Sequence, residues 1–480
     1  MSSKAGIRVG CSKSQGQNVF DVAVVGGGVV GCAVARRFVL EGARVILLEK
    51  GADILSGASK ANSAILHTGF DAPSGSLELD CLQAGYKEYI DIFKDFNLPI
   101  LKTDAFVVAW TEEQLARLPG IVRQADQNNV DNVRIVGADV LRKQEPNLSH
   151  SALGAVSVPG EFVIDPWSSP LAYLTQAVMN GADVRLDYSV TSGRFDGQVW
   201  VLKSDLKGDV TARFVVNCAG LYGDYLDEAL LGRTDFLIKP RKGQFVVYDK
   251  AASALVNSII LPVPSERTKG VVLTRTIFGN LLLGPTAEEQ DNRGLAGVSK
   301  KELELLKMQA EAMVPGLKKM PITATYAGLR PASENKDYRV FEYDEKNWIT
   351  AGGIRSTGLT SSLGLASYIF KQYSNMGHSL APLERIKTPQ MPTLAEHEQR
   401  DWTQPGYEEI VCHCEMVTKR EIEHALISVI PARDLSGLKR RTRATMGRCQ
   451  SFYCSARLAE LTKGHFVNDL SVDASHERHE

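Results

Sequence analysis

At 480 residues the chain is longer than one compact core accommodates, and about two or three domains are expected. With 44% hydrophobic and 23% charged residues its composition is globular and excludes wholesale disorder. Lys+Arg of 55 against Asp+Glu of 56 leaves no electrostatic footprint for nucleic acid, and no stretch reaches the roughly 18 uninterrupted apolar residues of a membrane span.

Residues 1–19 are polar, lack the apolar centre of a secretory signal and read as a flexible leader. Asp21–Lys50 then reads DVAVVGGGVVGCAVARRFVLEGARVILLEK. Asp21–Val25 is an apolar, β-branched run of the kind buried in a parallel sheet. Gly26, Gly28 and Gly31 supply G-x-G-x-x-G where strand passes to helix. The first allows the tight turn, the second lets backbone approach a pyrophosphate, and the third seats the helix on the strand. The helix covers Ala33–Leu40 and stops near Gly42. Arg44–Leu48 is a second strand, which delivers Glu49 to the place where a carboxylate accepts from a ribose hydroxyl. A glycine triplet alone is weak evidence. Strand, turn, helix, strand and acid in this order point to a dinucleotide whose diphosphate rests on the N–H groups of the helix start.

Ser56–Ser76 is rich in small residues and hydroxyls suited to the face of a flat cofactor, and it carries His67. Spacing predicts a helix over Leu79–Phe96 and a strand over Leu101–Trp110, and Thr111–Leu118 begins another helix. Asp165 and Pro166 read as the cap and first turn of a helix that runs to Asn180 and ends at Gly181. Val184–Leu186 and Phe214–Asn217 are strands, the latter leading into Cys218-Ala219-Gly220, where small residues bring backbone close to a cofactor. Between Lys239 and Pro285 the runs GQFVVYD, IILPV, GVVLTRT and NLLLGPT, without long helices, predict an antiparallel sheet separate from the parallel one. Lys300–Ala312 is an amphipathic helix, and Thr323–Pro331 reads TATYAGLRP. A strand near Trp348–Thr350 opens into a glycine-rich turn and helix over Ala351–Phe370, a second place for backbone N–H groups beside a cofactor. His378–Tyr407 lacks periodicity and reads as a linker. Glu408–Lys463 is the last compact unit, and Asn468–Glu480 is a polar, mobile tail.

Eight cysteines do not make a disulfide scaffold, but four of them crowd into the last unit, which favours a metal site in a reducing compartment. Cys412-x-Cys414 and Cys449-x-x-x-x-Cys454 flank a predicted helix over Thr418–Ile430, a four-thiolate set for zinc or an iron–sulfur cluster. Structural zinc usually has two or more residues between paired cysteines. The C-x-C pair therefore suits a two-iron cluster better, with zinc and unligated thiols as the alternatives. The basic run Lys439–Arg443 reads as a solvated face, or else as a docking site for an acidic partner.

These motifs resemble a known family. VVGGGVVGCAVAR, SKANSAILHTGF, PRKGQF, TKGVVLTRTIFGNLLLGPTA, YAGLRPAS and AGGIRSTGLTSS resemble FAD-dependent oxidoreductases of the D-amino-acid-oxidase superfamily. The branch is that of glycerol-3-phosphate dehydrogenases and oxidases and L-2-hydroxyglutarate dehydrogenases. VCHCEMVTKREI and MGRCQSFYC resemble the bacterioferritin-associated-ferredoxin-like [2Fe–2S] domain fused to anaerobic glycerol-3-phosphate dehydrogenases. Two positions depart from the pattern. Arg275 stands where proline is common, which bears on substrate identity, and Ser451 replaces a glycine of the cluster loop.

The resemblance implies an α/β and α+β fold. A Rossmann-like FAD domain (about 20–95, 155–235 and 325–380) is interleaved with an antiparallel substrate domain (about 96–154 and 236–324). A linker (381–407), a [2Fe–2S] domain (408–465) and a flexible tail (466–480) follow. It implies FAD held by Gly26, Gly28, Gly31, Glu49, Lys50, Ser59, Asn62, Ser63 and Val190. The set continues with Ala219, Gly220, Gly353, Ile354, Gly358, Leu359 and Thr360. Cys412, Cys414, Cys449 and Cys454 hold the cluster. Only one complete dinucleotide fingerprint is present, and a second would be expected if NAD(P) bound as well. Oxidising a secondary alcohol by hydride transfer needs a base, for which His67 is the candidate. Arg330 suits a bidentate hold on phosphate or carboxylate, and Lys269 would hold the anion or polarise the hydroxyl. Arg355 and Lys242 are further candidates. The expected substrate is a small anionic alcohol such as glycerol 3-phosphate. L-2-hydroxyglutarate or another 2-hydroxy acid, an amine or imino acid, or a relay role without a substrate are the other readings. Electrons would pass to a quinone or redox protein. The expected setting is an oligomer or complex subunit in the cytoplasm, at most peripheral to the inner face of a membrane.

Overall fold

The computed structural model describes residues 19–264 and 270–471. Lys269, nearly all of the leader and the end of the tail lie outside the described residues.

Val19–Val25 forms the first strand and pairs in parallel with Val45–Leu48 on one side and Val210–Asn217 on the other. Asp183–Arg185 and Trp348–Gly352 extend the parallel set, and Ser192–Phe195, Trp200–Lys203 and Arg339–Tyr343 complete an eight-stranded sheet. Both faces are covered, which is why these strands read as continuous apolar runs. Val22, Val24, Val45 and Leu47 pack under helices Val29–Leu40, Ser168–Met179 and Gly358–Asn375. Ala23, Val25, Ile46 and Leu48 pack on the other face, with Trp200, Leu226 and Trp348. The register Leu48↔Val25↔Asn217 and Asn217↔Thr350 aligns the carboxyl ends of four strands. Gly26, Glu49, Cys218 and Gly353 follow at or near one edge, where α/β sheets bind ligands.

The second sheet has nine strands. Its longest pair joins Ile238–Tyr248 to Ile322–Ser333, antiparallel from Ile238↔Ser333 to Tyr248↔Ile322. This sheet reaches past the limits expected for the substrate domain, because it takes in Gly154–Val158 and the whole of Ile322–Ser333. The single strand expected at Leu101–Trp110 is two. Asp104 turns the chain with a φ of 52° and accepts a hydrogen bond from the Gly160 N–H (2.9 Å). Ile100–Lys102 therefore joins a small sheet with Phe162–Ile164 and Ile65–Leu66, while Ala105–Ala109 joins the large one.

The linker is a strap packed on the body. Leu383 N–H donates to Leu40 O, Met391 N–H to Phe96 O and Glu396 N–H to Ile277 O. Arg400 pairs with Glu421 (3.2 Å), and both are buried. Beyond it, helix Lys419–Ile427 opens with a capping box of Thr418 and Glu421. With Leu435–Thr442 and Ser455–Leu461 it encloses Val417, Ile422, Leu438 and Leu458. Phe466, expected to begin the tail, belongs to that core. The basic run is not a solvated face: Arg440, Arg441 and Arg443 are buried, and Arg440 and Arg441 bond Ile54 and Asp53 of the first domain. Among the described residues no helix is long and apolar enough to cross a membrane.

Helices Leu77–Ile92 and Gly358–Asn375 cross with backbone in contact: a Cβ on Gly364 would lie 2.1 Å from Cys81 O, and one on Gly85 2.2 Å from Thr360 O. Gly364→Ala should therefore separate them and cost about 1–3 kcal/mol of stability by overpacking. A lowered thermal midpoint checks this, and an unchanged one would refute the close crossing.

Candidate active site

A cavity of about 940 Å³ opens where the parallel strands end and is walled on its far side by the second sheet. Its near wall is built from glycine. Gly26 has a φ of 113°, and a Cβ there would lie 2.4 Å from Cys218 O; a Cβ on Gly31 would lie 1.8 Å from Gly26 O. Helix Val29–Leu40 thus begins flush against the strand ends. No acid occupies its first turn, and Gly28 offers no side-chain cap, so the helix start favours an anion. Glu49 accepts from the N–H groups of Gly27 (2.6 Å) and Gly51 (2.7 Å) and so also holds the turn itself. A carboxylate has further lone pairs for a ribose hydroxyl. The Lys50 ammonium lies 3.3 Å from the centre of the Tyr222 ring, and Ser59 Oγ accepts from Val29 N–H (3.0 Å). Glycines whose Cβ positions are already filled, a helix start and an acid at the next strand end fit a dinucleotide such as FAD.

Gly26, Gly28, Glu49, Lys50 and Ser59 line the cavity, with Asn62, Ser63 and Val190. Ala219, Gly220, Ile354, Gly358 and Leu359 line it as well. Gly31, Gly353 and Thr360 do not. Gly31 serves helix packing, and Gly353 lies against Arg339 and Ser333. The Thr360 hydroxyl accepts from His67 N–H (3.0 Å) and donates to Ile65 O (3.3 Å), so it fixes the strand that carries His67.

His67 lines the cavity and meets a partner the sequence did not suggest. The pairing Leu66↔Phe162 places His67 opposite Glu161 at the next step of the ladder. His67 Nδ1 is 2.8 Å from Glu161 Oε2, and that side chain is fully buried. Glu161 Oε1 accepts from Thr68 N–H (2.6 Å) and Oγ1 (2.8 Å). With Glu161 ionised, Nδ1 carries the proton and Nε2 is the nitrogen able to accept one.

Arg330 lies deep in the far wall. Both terminal nitrogens reach only the Thr286 carbonyl (3.4 and 3.3 Å), and no acid pairs with it among the described residues. Burial, with the like charge of Arg241 beside it, lowers its pKa to about 10, which leaves it cationic at neutral pH. Arg241 is its cross-strand partner and lines the cavity too. Gly243, two residues on, leaves room for the guanidinium, since a Cβ there would lie 2.6 Å from Arg330 Nη2. Strand alternation turns Lys242 away, and it pairs with Glu288 (3.1 Å), outside the cavity. Arg275 is not among the residues that line the cavity. Arg355 lines the cavity but is tied to Glu78 (3.3 Å) and the Lys336 carbonyl.

The four C-terminal thiols fall into two contacting pairs, Cys412 with Cys454 and Cys414 with Cys449. Backbone N–H groups of Tyr453, Ser451 and Phe452 pull the Cys449 thiol below its usual range. Among the described residues no three such side chains converge on a single ion. Two thiol pairs beside amide donors fit a two-iron cluster. Ser451 adopts a φ of 75°, the region glycine occupies without strain, which accounts for the glycine usual there.

Two substitutions test this geometry. Glu161→Gln should keep FAD bound yet lower kcat by up to about 10²–10⁴-fold, the worth of a positioned base; an unchanged kcat would remove Glu161 from the reaction. Ser451→Gly should relieve about 1 kcal/mol of backbone strain and slow the loss of cluster absorbance to a chelator several-fold. No change in that rate would mean the loop is unstrained.

Residues 21–372 match the family model described as FAD dependent oxidoreductase, and residues 410–463 match the BFD-like [2Fe-2S] binding domain. The glycerol 3-phosphate dehydrogenase of Caloramator mitchellensis is 31% identical over 469 residues, covering 96% of this chain and 97% of that protein. The L-2-hydroxyglutarate dehydrogenase of Indibacter alkaliphilus is 27% identical, covering 63% of this chain and 75% of that one. FAD-bound L-alpha-glycerophosphate oxidase from Mycoplasma pneumoniae superposes with a TM-score of 0.73 at 23% identity, over 78% of this chain and 100% of that one. The chain belongs to the FAD-dependent oxidoreductase family, an enzyme that uses FAD and carries a [2Fe–2S] centre on its own C-terminal domain.

Proposed function

We propose that the chain oxidises the secondary alcohol of a small anionic substrate, glycerol 3-phosphate first, to the ketone. The observation that carries this reading is Arg330, a guanidinium deep in the cavity wall with Arg241 beside it and no acid paired to it among the described residues. A half-buried guanidinium with no acid beside it suits a ligand of opposite sign, and phosphate accepts a guanidinium fork with two parallel hydrogen bonds. The near-full-length relative named a glycerol 3-phosphate dehydrogenase, which spans the cluster domain as well, supports the same reading.

Bound FAD supplies the hydride acceptor. Arg330 and Arg241 hold the phosphate and thereby set the carbinol carbon at a fixed reach from the wall. His67 Nε2 takes the hydroxyl proton as the C–H bond is given up, and Glu161 balances the imidazolium that forms. Lys269 holds the anion or polarises the hydroxyl. With its cluster bound, the C-terminal domain would carry the electrons on to a quinone or redox protein on the cytoplasmic side, at most at a membrane surface. An L-2-hydroxy acid offers a carboxylate to the same two arginines and is the second reading, favoured by the hydroxyglutarate relative.

Anaerobic addition of glycerol 3-phosphate should bleach the flavin bands. Arg330→Ala and Arg241→Ala should raise KM about 10- to 100-fold, as for a lost charge-assisted hydrogen bond of about 1.5–3 kcal/mol, and Lys269→Ala should raise it as well. Bleaching by a 2-hydroxy acid or an amine, with none by glycerol 3-phosphate, would overturn the assignment.

A further inference from the structure

The iron–sulfur domain grips the loop that follows Glu49. Asp53 on that loop is fully buried. Arg441 closes on it as a fork, Nη1 to Oδ2 at 2.7 Å and Nη2 to Oδ1 at 2.8 Å. The Arg433 N–H adds a longer bond to Oδ2 (3.4 Å). Helix Leu435–Thr442 approaches so closely that a Cβ on Gly437 would lie 1.7 Å from the same oxygen. Arg440 donates to the neighbouring carbonyl of Ile54 (2.9 Å).

The inner side of the same turn closes the dinucleotide site. Asp53 Oδ1 accepts from Ile54 N–H (2.7 Å), and Leu55 N–H donates to Gly27 O (2.9 Å). Leu55 stands at a φ of 61°, a conformation that a leucine keeps only where its neighbours impose it. Ser56 and Ser59, just beyond, line the cavity, and Ser59 caps the helix start at Val29.

We propose that the iron–sulfur domain is part of the FAD-binding site: Arg440 and Arg441 set the Asp53–Leu55 turn, and the turn sets the Gly27–Val29 backbone on which the diphosphate rests. Lifting the domain away would strip the Asp53 carboxylate of the Arg441 fork and the Arg433 N–H, and Ile54 O of Arg440, so the turn would lose the contacts that hold this shape. Cofactor binding and domain seating are then one coupled equilibrium, and each strengthens the other by the same factor. Arg440 and Arg441 act as positioning residues, through Ile54 and Asp53.

The test uses the full chain, stripped of FAD with its cluster retained, then titrated with FAD while flavin fluorescence is followed. Arg440→Met, which leaves no buried charge behind, should raise the FAD Kd about 3- to 10-fold, and Arg441→Ala by more than about tenfold. The cluster's visible circular dichroism should be unchanged in both. Wild-type affinity in both variants would overturn the proposal. Should Arg441→Ala fail to fold, hydrogen exchange on the wild type decides. The Arg433 amide, whose bond crosses between the domains, should exchange at least about tenfold more slowly with FAD bound than without. Equal protection in the two states would mean that the domain seats independently of the cofactor, and the proposal would fall.

Discussion

The carbonyl oxygen of Gly26 lies 1.8 Å from where a Cβ on Gly31 would be, and that of Cys218 lies 2.4 Å from where a Cβ on Gly26 would be. Backbone therefore meets backbone at the start of the first helix, with no side chain between helix, turn and neighbouring strand. The contact brings the helix N–H groups to the edge where the parallel strands end. A second close contact, Gly364 against Cys81, seats the last helix of the flavin domain. That helix carries Thr360, whose hydroxyl holds the His67 backbone. Packing at glycines thus helps to place the cofactor cradle and the proposed base, alongside the hydrogen bonds of Glu49 and Ser59.

The two walls of the cavity treat charge in opposite ways. On one, the Glu161 side chain is held by the Thr68 N–H and hydroxyl and by His67 Nδ1, so its position is fixed by the protein alone. On the other, Arg330 has, among the described residues, only a carbonyl at 3.3–3.4 Å and a like charge across the strand. Hydrogen bonds of that length to a neutral oxygen are weak beside those to a phosphate or carboxylate. The wall that carries His67 has its polar groups paired within the protein, whereas the Arg330 guanidinium opposite has no acid paired to it among the described residues.

What the sequence makes legible follows from how local each cause is. Asp21–Lys50 could be read because strand, turn, helix and acid are consecutive, and the cysteine pairs because their spacing is short. The His67–Glu161 contact joins residues that only the pairing of Ile65–Leu66 with Phe162–Ile164 brings together. Arg241 and Lys242 are neighbours in sequence, and only the strand's register decides which faces the cavity. Arg440 and Arg441 look like a solvated basic run because their acid, Asp53, lies at the far end of the chain. Polar pairs buried between distant segments leave no periodicity in either segment, whereas apolar faces do.

The seating of the cluster domain divides its work between charge and chain. Arg441 on Asp53, Arg448 on Asp249 (2.8 Å) and Arg443 over the Phe278 ring (4.1 Å) anchor one basic segment to both the flavin and the substrate domain. Buried ion pairs add little net affinity, since desolvation offsets most of the attraction, but a pair left half-made is strongly disfavoured. They select one orientation without supplying much binding. The strap supplies the rest: anchored at Leu40, Phe96 and Ile277, and joined to the cluster domain through Arg400 and Glu421, it holds that domain at high effective concentration beside its seat. A contact of this kind would be weak between separate chains and is decisive within one.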